Sequence, residues 1–132
     1  MKITTASWIK FAAQDYKAKN VLSNIEDLEK VFAFHCQQSI EKLLKALLNE
    51  NDILPPKSHD IIRLYTLLPV SIKEKFKDLM PLMEELNSIY IDSRYPADFA
   101  LLPNYTLSKE DIEKINNATD KLYNNILSFL KK

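Results

Sequence analysis

Not one of the 132 residues is glycine, and that absence constrains the fold more than any motif does. Tight hairpins and phosphate-cradling loops draw on positive-φ positions that glycine fills best. A chain without it, rich in Leu, Lys, Glu, Ile and Asn, is directed toward helices. The Walker loop and the dinucleotide fingerprint are excluded, because both are defined by their glycines. The length suits one domain, taken as 1–132, with a single sizeable core.

Apolar periodicity divides the chain into segments. Thr4, Thr5 or Ser7 is expected to cap a first helix that runs to about Lys19, with Trp8, Phe11, Ala12, Asp15 and Tyr16 at helical spacing. Asn20 is its expected stop. Ser23 or Asn24 is the expected cap of a long second helix, Ile25 to Asn49, whose charged start could instead form a separate turn. Pro55 and Pro56 break the chain. Two short helices follow, Asp60 to Leu68 and Ser71 to Leu79, the second opened by a Ser71/Glu74 capping box. Pro81 suits the first turn of the next helix, with Leu82, Leu86, Ile89 and Ser93 expected inside and Met83, Asn87, Tyr90 and Arg94 on the adjoining flank. Pro96 ends it, and Ala97 to Thr106 reads as a loop. Ser108 and Asp111 open the last helix, whose stripe is Ile112, Ile115, Ala118, Leu122, Ile126 and Phe129. Four main helices and one or two short ones predict an all-α, up-and-down bundle with the second and last helices as its spine.

The stretch Val31 to Leu48 carries the most information. At about 100° per residue, Ala33, Cys36, Ile40, Leu43, Leu44 and Leu47 form a core-facing stripe. Gln37, Gln38, Glu41, Lys42 and Lys45 fall on the opposite, outward side, with His35 at the edge. Phe34 lies among those polar groups, where solvent alone would not place a large aromatic. That side is therefore expected to meet another helix, another chain or a ligand.

Composition narrows the chemistry. Lys plus Arg and Asp plus Glu number 18 each, so no global field gathers nucleic acid or lipid. The single cysteine, Cys36, cannot close an internal disulfide and reads as a small buried thiol. On a helix it points about 100° away from His35, so the two form no catalytic pair. Two histidines far apart give no metal-ligand spacing, and neither a metal nor a cofactor is expected. The absence of a leader-like apolar run and of a membrane-length stretch makes a cytoplasmic protein the expectation.

Two short segments carry chemistry. Lys57-Ser58-His59-Asp60 follows the rigid Pro-Pro and opens a helix, whose N–H groups favour anions. Alternatively, Ser58 or Asp60 caps that helix and His59 fills space. In Asp92-Ser93-Arg94-Tyr95-Pro96, Arg94 is one of two arginines in the chain, and its planar fork suits a carboxylate or a phosphate. It either pairs with Glu41 or Asp15 or faces a ligand.

With these segments in place the chain resembles the HEPN domain. The likeness is carried by Trp8 with Asp15, by Phe34 to Gln38 leading into Ile40 to Ala46, by Pro56 to Asp60, and by Tyr90 with Ser93 to Pro96. It implies a helical bundle that commonly dimerises, with a cleft between protomers. It also implies service in toxin–antitoxin pairs with small nucleotidyltransferases, in RNA cleavage, or as nucleotide- or RNA-binding accessories. Ribonuclease members carry an arginine followed a turn or two later by a histidine. Here Arg94 is followed by Tyr95, Pro96, Ala97, Asp98, Phe99, Ala100 and Leu101, and Arg63 has no such histidine either. Without that base, only His59 could serve beside Arg94 in a divergent ribonuclease. The leading expectation is a dimeric module binding nucleotide or RNA phosphate through Gln38, Lys42, Lys45, Arg94 and Tyr95, or partnering a small nucleotidyltransferase. Its interface residues would be Phe34, His35, Gln37, Glu41 and Tyr90. A purely structural dimerisation module is the remaining alternative.

Overall fold

The computed structural model describes residues 1–94 and 107–132, the side chains of 89–94 excepted. Among the described residues there are six α-helices and no strand: α1 (Ile3–Leu22), α2 (Glu29–Glu50), α3 (Ile61–Thr66), α4 (Val70–Phe76), α5 (Met80–Arg94) and α6 (Lys109–Leu130), with a 3-10 turn at Lys77–Leu79. Four are long and two are short, and they pack as a helical bundle. The expected ends of α5 at Pro96 and of the loop at Thr106 lie outside the described residues.

Side-chain contacts give the topology. Thr5 and Asn49 meet at one end of α1 and α2, while Asp15 meets His35 further along, so the two helices run antiparallel. Lys19 bonds Asn116 and Asp120, and Tyr16 bonds Asp120 and stacks on Tyr123, which sets α6 antiparallel to α1. α5 packs on both α2 and α6. Ala33, Cys36, Ile40, Leu43, Leu44 and Leu47, the expected stripe of α2, are all buried. Ile115, Ala118, Leu122 and Ile126 of α6 are buried as well. At about 25 cal/mol per Å² of apolar surface removed from water, this packing is what holds the helices together.

Several expected boundaries differ. Lys2 occupies the N-cap of α1 without a side-chain capping bond. Thr5 instead turns inward and donates to Glu50, and Ser7 Oγ bonds back to the Ile3 carbonyl. The helix continues past Lys19 and Asn20 to Leu22, since Lys19 is buried and bound to α6 in the last turns. The charged start of the second segment forms a turn, as the alternative reading allowed. Asp27 takes φ 67° there, a left-handed conformation that aspartate tolerates better than most residues, and α2 begins only at Glu29. α4 starts at Val70, not Ser71. The Pro69 carbonyl takes the first N–H groups of Ile72 and Lys73, and no side chain caps the helix. Pro81 lies in the first turn of α5 as expected, but Met83 is fully buried and Leu82 only half so. That helix is rotated toward its Met83 flank. In α6 the capping box of Ser108 and Asp111 is complete.

Candidate functional site

The largest departure from expectation concerns α2. Its polar side was expected to face outward, yet Gln37, Gln38, Glu41 and Lys45 are all buried. The physical reason is that α1 covers one edge of that side and the segment leading into α3 covers the other. Each polar group taken from water is then matched within the chain, as burial requires. No buried side-chain nitrogen or oxygen among the described residues lacks a partner.

Two linked clusters result. On the α1 edge, Asp15 accepts one bond from His35 Nδ1 at 2.8 Å and a second from the Lys42 ammonium. Lys42 keeps a quarter of its side chain exposed. On the α3 edge, Glu41 is bound by Lys45 Nζ at 3.2 Å, Gln38 Nε2 at 3.2 Å and His59 Nδ1 at 3.0 Å. Gln38 also donates to Gln37 Oε1, and Gln37 donates to the His59 carbonyl at 2.8 Å. Lys45 Nζ lies 5.5 Å from the centroid of the Trp8 ring, in range of a cation–π contact. Trp8, Asp15, the Phe34–Gln38 run and His59 therefore converge on one seam between α1, α2 and the approach to α3.

The segment carrying His59 is itself fixed. Asp60 Oδ1 accepts the N–H groups of Ile62 and Arg63 and so caps α3. Asn87 of α5 accepts from Ile61 N at 2.8 Å and donates to Asp60 at 3.0 Å. The N–H groups that could have held an anion are thus taken by Asp60 and Asn87, so the capping reading of this segment applies. Glu41 and Asp15, the proposed partners of Arg94, are each held by other groups. Tyr90 and Arg94 lie in the last turns of α5 with side chains outside the described residues, and Tyr95 lies outside them altogether.

Three large apolar side chains of α1 and α2 are exposed. Phe34 is 37% exposed, Phe11 48% and Val31 42%. Phe11 shares a helix flank with Trp8 and Asp15, at spacings of three and four residues. Phe34 precedes Gln38 by one turn. Paired charges lie beneath and aromatic rings stand at the edge.

A second polar cluster escaped sequence reasoning. Lys19 is fully buried, bound to Asp120 at 2.5 Å and Asn116 at 2.8 Å, with its ammonium 4.6 Å from the Tyr16 ring. Tyr16 Oη donates to Asp120 at 2.6 Å and its ring stacks on Tyr123 at 3.8 Å. Burial first, and then the Asp120 carboxylate, drive the Tyr16 phenol far above its usual range. The signal available in sequence was a lysine on the apolar side of α1, where a solvated charge would not be placed. Cys36 lies nearby, fully buried, its thiol pushed up to about 12 chiefly by burial, with a Thr119 hydrogen bond opposing. Such a thiol is a packing group rather than a nucleophile.

A helical bundle with an internal polar seam on its second helix defines the class. A family model, the HEPN domain, matches residues 5–129. The chain belongs to the HEPN domain family. No curated protein and no solved structure matches it.

Proposed function

We propose that this protein is a HEPN-type accessory module that acts by pairing with another protein surface, a second copy of itself first, through the face bearing Phe11, Val31 and Phe34. The observation that carries this reading is the contrast across the seam. Lys42 and Lys45 are neutralised inside the chain by Asp15 and Glu41, while Phe11, Val31 and Phe34 keep 48%, 42% and 37% of their surface exposed. Interfaces gain affinity from desolvated apolar anchors, and charges at their rims set specificity. HEPN membership supports the pairing, with a small nucleotidyltransferase of a toxin–antitoxin-type system as the second candidate for the same face.

The nucleotide or RNA reading ranks below it. A phosphate at Lys42 or Lys45 would share its ammonium with a carboxylate that already offsets the charge, and at Gln38 it would meet the neighbouring Glu41 carboxylate. A ribonuclease built on His59 and Arg94 ranks lower still, since the family's arginine–histidine spacing is absent.

Light scattering coupled to size exclusion tests the pairing. The wild type should elute with twice the 15.4 kDa chain mass, and Phe34→Glu should shift it to a monomer with unchanged circular dichroism. A wild type that is monomeric at high concentration, or a Phe34→Glu variant that still dimerises, contradicts it. No loss of nucleotide or RNA binding should accompany Lys42→Ala. A Lys42-dependent affinity would restore the phosphate reading.

A further inference from the structure

At the far end of the bundle, away from the seam, a cleft of about 600 Å³ opens between the α1–α2 turn and the first turns of α6. It shares only Asn116 with the buried Lys19 cluster and no residue with the seam. Its apolar lining comes from three helices and the segments beside them: Leu22 at the end of α1, Ile25 in the turn, Phe32 of α2, Leu107 ahead of α6 and Ile112 of α6. Ile25 is 44% exposed and supplies the open apolar surface of the cleft on the turn side.

Around this lining stand three carboxylates, Glu26 and Glu29 on one wall and Glu113 on the other, against one cation, Lys109. None of the three carboxylates is in an ion pair among the described residues. Glu29 accepts only the Asp27 N–H, at 3.3 Å. The excess is local, because the whole chain carries no net charge. Its sign repels phosphate, nucleic acid and anionic lipid alike. The volume falls in the usual range of built binding sites.

We propose that this cleft docks a basic, apolar-anchored peptide segment of another protein. An apolar side chain would enter between Ile25 and Ile112 over the buried Phe32, and lysine or arginine side chains on either side of it would meet Glu26 and Glu113 on the opposing walls. An amphipathic segment supplies that pattern, an apolar face with cations at its edges. The proposal is independent of the pairing through Phe34, which lies on another face.

The test uses the full chain and a fluorescein-labelled probe peptide, KLLKLLKKLLKLLK, with ELLELLEELLELLE as its charge-reversed counterpart. Fluorescence anisotropy should show the lysine peptide binding and the glutamate peptide not. The Glu26→Lys/Glu113→Lys variant changes two exposed side chains outside the core and should weaken binding about tenfold or more. Amide shifts on titration should cluster at 22–29 and 109–116. If that variant fails to fold, Glu26→Gln/Glu113→Gln serves in its place. The proposal is overturned by absence of binding, by equal affinity of variant and wild type, by binding of the glutamate peptide, or by shifts confined to the Phe34 face.

Discussion

At the scale of the residue, the sharpest consequences concern charges that the fold has taken out of water. Lys19 is wholly enclosed, whereas its partner Asp120 keeps 39% of its side chain exposed. Removing the exposed partner leaves a buried ammonium with only the neutral Asn116 amide oxygen and the Tyr16 ring, while removing the ammonium leaves a carboxylate that water can still reach. Asp120→Ala should therefore destabilise by about 3 kcal/mol, and Lys19→Met by clearly less. Urea unfolding of both variants checks the asymmetry, and equal losses would contradict it. The same reasoning applies at the seam. Glu41→Leu strands Lys45 and should cost about 3 kcal/mol, whereas Lys45→Met leaves Glu41 with Gln38 and His59 as donors and should cost less. Cys36, with its thiol held up by burial, should resist a thiol reagent in the native protein at neutral pH and react at once in denaturant.

At the scale of the element, α6 offers the cleanest case. Its Ser108–Asp111 box satisfies two N-terminal donors reciprocally, so Ser108→Ala should lower stability by about 1 kcal/mol. The Asp111 carboxyl is held below its usual range, first by the Ser108 backbone N–H. A carboxylate with a depressed native value stabilises above its unfolded value and ceases to as pH falls through the native one. The stability difference between wild type and Asp111→Asn should thus be present at pH 7 and vanish on acidification below about pH 4. Thermal unfolding across that range measures it. This box was legible in the sequence because both partners sit within one turn. The core stripe of α2 was legible for the same reason, being a local repeat. The caps of α1 and α4 were not, because Thr5 is drawn away by Glu50 and α4 opens one residue before Ser71, with Pro69, which has no capping side chain, at its N-cap. Nor was the fate of the polar side of α2. Periodicity reports that a face is polar, but only tertiary packing decides whether water or other side chains satisfy it. The aromatic at Phe34 was the one hint that this side was not plainly solvated.

At the scale of the whole molecule, the bundle uses α2 on nearly every side. One side builds the apolar core with α5 and α6, and the other is sealed by α1 and the His59 segment through paired charges. The proposed pairing uses the apolar edge of the seam. Asn87, by holding Asp60 and Ile61, ties α3 to α5 and keeps His59 against Glu41. Asn87→Ala should consequently loosen that edge, seen as faster hydrogen exchange over residues 59–64 with little change over 115–126. On the proposed pairing, charges are neutralised inside the chain and association falls to Phe11, Val31 and Phe34. Sedimentation equilibrium at low and high sodium chloride tests it most directly. Apolar pairing predicts a dimer whose dissociation constant changes by less than about threefold between the two conditions. A chain that stays monomeric throughout, or a dimer that salt dissociates steeply, would contradict it.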